Sequence, residues 1–122
     1  MSKLESAMRI VIAFNGAFNR HDLVAMMQLI GDDCKVEHFE PAPDGAVYQG
    51  KEAVSRFWRD QFDQKAGAGV EIEDVFGHGD RCIMCWTLSW KSADGRARHV
   101  RGLDLFRVRD GLILEILSYA KA

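Results

Sequence analysis

The feature that most constrains this fold is a change in hydrophobic period near residue 70. Before it, apolar residues recur every three to four positions, the spacing of amphipathic helices. After it they alternate, as in half-buried strands, and the turn sequences Ala93-Asp94-Gly95 and Asp110-Gly111 are typical of β-hairpins. The chain therefore predicts helices followed by an antiparallel meander, whose apolar face the helices must cover.

The predicted elements fall into a helical half and a strand half. Helices are expected at about 2–19, 22–30 and 51–64, with extended segments at 34–40 and 46–49. Gly31 is the expected stop of the second helix, and 65–69 is an expected loop of small residues. Strands are expected at about 70–76, 81–91, 98–108 and 112–119. Because long strands twist and curl, we expect an α+β fold: a cone-shaped, curved antiparallel sheet wrapped around three N-terminal helices.

The composition favours one soluble domain covering residues 1–122. An apolar fraction of 48% and a charged fraction of 28% are ordinary for globular proteins. The net charge of −2 is spread along the chain without a basic run, so nucleic acid is not an expected partner. Apolar runs stay well short of the ~20 residues that cross a bilayer, so a membrane is not expected either.

The three cysteines predict a reducing, cytoplasmic location, because their count is odd and a secretory signal pattern is missing. Cys82 and Cys85 have C-x-x-C spacing, but strand residues three apart point to opposite faces, which disfavours a shared metal or redox site. Histidine pairs with metal-ligand spacing and glycine-rich nucleotide motifs are also missing from the sequence. We therefore expect neither a metal nor a cofactor.

Asp104 breaks the pattern of its predicted strand. It shares a face with Val100, Gly102, Phe106 and Val108, where a carboxylate costs several kcal/mol unless it is paired or protonated. Gly102 removes a side chain beside it and makes space. Two interpretations stay open: a structural acceptor for a buried donor such as a Trp N–H, or a pocket acid with a raised pKa.

His38 poses the same question in the extended segment 34–40. It shares a face with Cys34, Val36 and Glu40, which predicts an inward position beside the proline-containing loop. A histidine there is either a satisfied core residue or a general base, because the pKa of imidazole lies close to cellular pH.

The strand at 81–91 leaves its orientation open. Its more apolar face, which carries Met84 and Trp86, either lines the cone or meets a second subunit. On the next strand, Leu103 and Leu105 lie on the outward face between two arginines. An apolar centre with a charged rim is typical of a protein interface, so we expect a homodimer through the outer sheet face.

Four segments carry a resemblance to a known family. They are FNGAFNRHDL at 14–23, GDDCKVEH at 31–38, YQGKEAV at 48–54 and VRGLDLFRVRDGLI at 100–113. With these segments the chain resembles the nuclear transport factor 2-like superfamily, in its SnoaL-like and ketosteroid isomerase-like branch. The resemblance implies a cystatin-like α+β roll enclosing an apolar pocket. It does not select a reaction, because the superfamily includes isomerases, dehydratases, cyclases, epoxide hydrolases and non-catalytic members.

Ketosteroid isomerase uses an Asp base, and a Tyr with a protonated Asp as its oxyanion hole. By this resemblance Asp104 occupies the protonated-Asp position and His38 the position of the base. Phe14 stands where the oxyanion Tyr would be, and Trp58 near a supporting Tyr. Since losing one such donor costs roughly 10²–10³ in rate, efficient steroid isomerisation is not expected.

These residues lead to one functional hypothesis and two alternatives. We expect a cofactor-free isomerase, lyase or cyclase for a small apolar carbonyl or hydroxyl compound, in which His38 moves a proton and neutral Asp104 donates a hydrogen bond. The alternatives are a ligand-binding domain without chemistry and a dimeric assembly domain. The expected substrate-binding residues are Phe14, Phe18, Phe57, Trp58, Trp86, Gly102 and Phe106.

Overall fold

The computed structural model describes residues 2–121 and combines helices with one sheet. The helices are α1 (Lys3–Asn19), α2 (Leu23–Gln28) and α3 (Lys51–Gln64). The strands are β1 (Ile30–His38), β2 (Ala46–Gln49), β3 (Ala66–His78), β4 (Arg81–Lys91), β5 (Ala97–Arg109) and β6 (Leu112–Ala120). The sheet is curved and unclosed, with strand order β2-β1-β6-β5-β4-β3, and the predicted α+β fold is confirmed.

The helix starts follow from capping side chains. Ser2 Oγ accepts a hydrogen bond from the Glu5 amide at 3.1 Å, and Asp22 Oδ1 accepts one from the Ala25 amide at 3.1 Å. Each side chain satisfies a backbone donor that the first helical turn leaves unpaired. These caps fix where α1 and α2 begin.

The predicted end of the second helix is wrong. α2 ends at Gln28, and Ile30 and Gly31 already belong to β1. Ile30 is fully buried and pairs with Ile113 of β6, whose amide donates to the Leu29 carbonyl at 2.8 Å. Pairing with a strand about 80 residues away therefore outweighs the local stop signal of a glycine.

The sheet is also larger than a four-stranded meander. β1 joins it parallel to β6 and antiparallel to β2, so two further strands extend the concave face. The expected loop at 65–69 is mostly strand, because β3 begins at Ala66 and pairs with the end of β4. Both differences arise from long-range strand pairing.

The core lies between the helices and the concave face of the sheet. The structure decides the orientation of β4: Cys82, Met84, Trp86 and Leu88 are all less than 8% exposed and face inward. Cys85, the other member of the C-x-x-C pair, lies on the alternate face and is half-buried. The face with the large apolar side chains therefore belongs to the core.

Asparagine side chains fasten the end of α1 to the start of β3. The Asn19 side chain accepts from the Val70 amide at 2.7 Å and donates to the Val70 carbonyl at 2.9 Å. Asn15, one turn earlier, donates to the same carbonyl at 3.3 Å. This clamp holds the aromatic side chains of α1 over the concave sheet face.

Candidate functional site

A cavity of about 60 Å³ lies where α1 and α3 cover the concave sheet face. Its walls are mostly aromatic and aliphatic, with a few polar groups. The lining residues are Phe14, Asn15, Phe18, His38, Phe39, Trp58, Gln61, Lys65, Ala68, Val70, Met84, Trp86, Leu88, Asp104, Phe106 and Ser118. The volume is well below the ~150 Å³ that accommodates benzene in an engineered apolar cavity. A rigid multi-ring molecule therefore does not fit without side-chain displacement.

Seven of the nine predicted site residues line this cavity. They are His38, Asp104, Phe14, Phe18, Trp58, Trp86 and Phe106. The remaining two, Phe57 and Gly102, do not line the cavity. Phe57 packs between the rings of His38 at 4.9 Å and Tyr48 at 4.5 Å, so it supports His38.

Gly102 makes room for a tryptophan that does line the cavity. A Cβ at position 102 would lie 2.8 Å from Cη2 of Trp86 and would collide with the Tyr119 carbonyl oxygen. The sequence predicted that this glycine makes space beside Asp104, and the structure shows what occupies that space. The space is filled by the Trp86 indole, which forms part of the wall.

Asp104 is held by its neighbour on β6. Asp104 and Ser118 are cross-strand partners, and Ser118 Oγ donates to Asp104 Oδ1 at 2.6 Å. Burial raises the pKa of Asp104 to about 6, although the interactions with Ser118 and Trp86 lower it in part. A charged carboxylate is disfavoured in an apolar site, which is the physical cause of this rise.

The tryptophans are not the donors that hold Asp104. The Trp86 indole lies close enough to affect the carboxyl, but within residues 2–121 its N–H finds no partner of hydrogen-bond geometry. The buried N–H of Trp58 is likewise unpartnered within that range. If Asp104 is a structural acceptor, its donor is therefore the Ser118 hydroxyl.

His38 is 8% exposed and is held by Glu40. Its Nε2 lies 3.1 Å from Glu40 Oε1, and the rings of Phe39 and Phe57 pack against the imidazole at 4.2 and 4.9 Å. Burial lowers the pKa of His38; the Glu40 carboxylate opposes this and the Lys65 ammonium adds to it. A neutral imidazole that donates from Nε2 to Glu40 carries its lone pair on Nδ1.

The sequence reasoning missed Lys65 and Gln61 as site residues. Lys65 is 7% exposed, lines the cavity, and lies with its Nζ 5.5 Å from the Trp90 ring centroid. Its ammonium donates to Glu40 Oε1 at 3.1 Å and to Gln61 Oε1 at 2.9 Å. A signal was present, because Gln61 lies at helical spacing from Phe57 and Trp58, and Lys65 follows four residues later.

Comparison with known proteins agrees with this architecture. The profile of a family described as the SnoaL-like domain matches residues 11–116. The chain belongs to the SnoaL-like domain family. Its SnoaL-like fold places it within the nuclear transport factor 2-like superfamily that the four sequence segments predict, so that prediction is confirmed. A search of curated proteins found no match.

Solved structures extend the comparison. An NTF2-like protein of unknown function from Mesorhizobium loti is 35% identical, with 100% of this chain and 96% of that chain covered and a TM-score of 0.82. A Mycobacterium tuberculosis protein in complex with estradiol-17β-hemisuccinate is 25% identical over 93% and 92% of the chains, with a TM-score of 0.81. An epoxide hydrolase of the LEH-like type from M. tuberculosis is 20% identical over 99% and 82%, with a TM-score of 0.84, and this likeness shows the fold alone.

Within residues 2–121, groups of three or more His, Cys, Asp or Glu side chains placed to hold a metal ion are absent. Across the same range, none of the helices has the length and apolar character needed to cross a bilayer. The titratable groups that line the cavity are the His38 imidazole, the Asp104 carboxyl and the Lys65 ammonium, which is paired with Glu40.

Proposed function

We propose that this chain binds a small, largely apolar carbonyl or hydroxyl compound in the cavity and moves a proton on it without a cofactor. The observation that carries the proposal is that His38 and Asp104 line one apolar cavity while each is held by a separate partner, Glu40 and Ser118. Two titratable groups whose surroundings differ in this way are typical of acid–base sites.

His38 is the proposed base. Its lowered pKa keeps the imidazole neutral at pH 7, with Nδ1 able to accept a proton. Such a group contributes roughly 10²–10⁴ in rate when it lies within reach of the substrate proton.

Asp104 is the proposed hydrogen-bond donor. With a pKa of about 6, its carboxyl exists in both protonation states near neutrality. The protonated form donates to a carbonyl or hydroxyl oxygen of the ligand, and a donor placed in an apolar wall stabilises the negative charge that develops on that oxygen.

The cavity limits the size of the substrate. About 60 Å³ suits a compound smaller than a steroid, so steroid isomerisation is not proposed. Structures of related fold have been solved with estradiol-17β-hemisuccinate and with trimethylamine, which supports small-molecule binding as the general role.

The three cysteines are free thiols in the described chain, which supports a reducing, cytoplasmic location.

The test begins with a ligand screen by native mass spectrometry, using short linear ketones, enones and alcohols. Turnover of each bound compound is then followed in His38→Ala and Asp104→Ala. We expect kcat/KM to fall about 10²–10⁴-fold in the first and about 10²–10³-fold in the second. Exposed His99→Ala and Asp74→Asn are the matched controls and should retain full turnover. Ligand binding with unchanged turnover in both cavity variants would leave a binding domain without this chemistry.

We also propose that the outer sheet face pairs with a second copy of the chain. Phe76, Ile83, Leu105 and Leu117 form one row of cross-strand partners on this face, and Phe76 is 47% exposed. The rim carries both charge signs, as in the Arg101–Glu73 pair at 3.0 Å. A face with an apolar centre and both signs at its edge can be self-complementary, as an isologous dimer requires.

Sedimentation equilibrium tests the dimer. The unmodified chain should be dimeric at micromolar concentration, and Leu105→Glu, which places a charge at the centre of the row, should be monomeric. Val24→Glu on α2, at a side chain that is 71% exposed, should leave the dimer intact. A monomeric unmodified chain contradicts the proposal.

A further inference from the structure

One carboxylate oxygen joins two groups of the cavity wall. Oε1 of Glu40 lies 3.1 Å from His38 Nε2 and 3.1 Å from Lys65 Nζ. Glu40 follows the end of β1 by two residues, whereas Lys65 caps the C-terminus of α3. The carboxylate therefore couples the imidazole to a lysine from a different element.

The lysine side of this cluster is firmly placed. The Lys65 amide donates to the Gln61 carbonyl at 2.9 Å, and its ammonium donates to the side chain of the same residue at 2.9 Å. The side chain is 9% exposed and lies against the Trp90 ring. A long side chain held at several points has little freedom left, so its charge has a fixed position beside Glu40.

The loop after Glu40 folds back on His38. The Gly45 amide donates to the Pro41 carbonyl at 2.7 Å, and Gly45 has a φ of +78°. A Cβ at this position would collide with the His38 carbonyl oxygen. The glycine thus allows the 41–45 turn to lie against the histidine backbone, which keeps Glu40 near the imidazole.

We propose that Glu40 is a positioning residue for His38: anchored by Lys65, it accepts a hydrogen bond from Nε2–H, which keeps that proton on Nε2 and leaves Nδ1 as the basic nitrogen. The inference deepens the proposed function and rests on the role of His38 as the base. Glu40 itself does not line the cavity and acts through the imidazole. A carboxylate that fixes the tautomer of a histidine base is a recurrent arrangement in acid–base catalysis.

Charge gives this cluster a recognisable signature. The charged groups that act on His38 are Glu40 from its own segment and Lys65 from α3; the rings of Phe39 and Phe57 pack against the imidazole, and Asp104 lines the same cavity. The Glu40 carboxylate raises the pKa of His38 and the Lys65 ammonium lowers it. Neutralising Glu40 and neutralising Lys65 therefore have opposite expected effects on the same imidazole.

The experiment is an NMR titration of the ligand-free protein with labelled histidine. In the unmodified chain, the ring nitrogens of His38 should report the tautomer protonated at Nε2. Glu40→Gln should lower the pKa of His38, Lys65→Met should raise it, and Glu40→Ala should populate both tautomers. Glu37→Gln on the other face of β1 and Lys91→Met on β4 are the matched controls, and neither should change the His38 titration.

The result that overturns the inference is equally specific. An unchanged His38 titration in Glu40→Gln, or shifts of the same direction in Glu40→Gln and Lys65→Met, excludes the coupling. Glu40 is 55% exposed, so Glu40→Gln is expected to fold and is decisive even if Lys65→Met is unstable.

The titration separates this inference from the proposed function, because it needs no substrate. A changed titration together with unaffected turnover in His38→Ala would retain the coupling and remove the catalytic role. When turnover is available, the acid limb of kcat/KM should move in the same direction as the pKa of His38 in each variant.

Discussion

The two titratable residues His38 and Asp104 are held in the cavity wall in different ways. Asp104 is half-buried in the apolar wall, and this loss of solvent raises its pKa to about 6, although the Ser118 hydroxyl that donates to it lowers the pKa in part. His38 is buried and is tied to the ion pair of Glu40 and Lys65, and burial lowers its pKa. Burial favours the neutral form of both groups. The carboxyl therefore keeps its proton to a higher pH, and the imidazole loses its proton at a lower pH.

The largest expected effect concerns the pH dependence of turnover. If neutral His38 and protonated Asp104 are both required, kcat/KM is bell-shaped, with an alkaline limb at about pH 6 and an acid limb set by His38. The rate at pH 8 should then be ~100-fold below the maximum. Asp104→Asn keeps a hydrogen-bond donor that does not ionise, so the alkaline limb should disappear in this variant. If the alkaline limb persists, it is caused by the ionisation of a group other than Asp104.

The second prediction concerns stability. Asp104 binds a proton more tightly in the folded than in the unfolded chain, so its contribution to the free energy of unfolding falls as the pH rises from about 4 to above 6. A rise in pKa from 3.8 to about 6 corresponds to ~3 kcal/mol at most. His38 acts in the opposite sense, because its lowered pKa makes its contribution fall as the pH drops below 6.5.

Urea unfolding between pH 4.5 and pH 8 measures these opposing contributions. Asp104→Asn should lose the alkaline decline and reveal the acid decline due to His38, and His38→Gln should do the reverse. Exposed Asp74→Asn should keep the profile of the unmodified chain. Identical profiles in both cavity variants would show that the two residues do not differ as described.

The smallest expected effect tests the packing around Gly102, two residues before Asp104 on β5. Gly102→Ala should lower the free energy of unfolding by about 1–3 kcal/mol, because the new Cβ meets Trp86 and the Tyr119 carbonyl. Gly16→Ala, which meets a flexible Arg20 guanidinium at 3.4 Å within α1, should be neutral or stabilising. Chemical denaturation compares the two; equal stabilities would mean that Trp86 moves freely and that this wall is less fixed than the His38 wall.

Local signals predicted much of the fold. The third helix, at 51–64, and the strand at 81–91 have the predicted bounds, because helical periodicity and flanking turn residues define them within a short window. The predicted end of α2 and the predicted start of β3 were wrong, because Ile30 and Ala66 pair with strand residues that are distant in the sequence. Strand pairing of that range leaves little trace in a local pattern.

The candidate site, too, was predictable from local signals only in part. Alternation along each strand predicted an inward His38 and an inward Asp104, and that rule needs no knowledge of the neighbours. It could not supply Ser118 or Lys65, because the Ser118–Asp104 and Lys65–Glu40 contacts join residues that are 14 and 25 positions apart in the chain.

The amino-acid sequence by itself determined the helices, the hairpins, the family and the faces on which the two titratable residues lie, because each follows from local spacing and residue type. Tertiary structure alone decided that these faces border one cavity, how large it is, and which partners hold the imidazole and the carboxyl. The physical reason is that burial and charge depend on groups brought together by the curvature of the sheet.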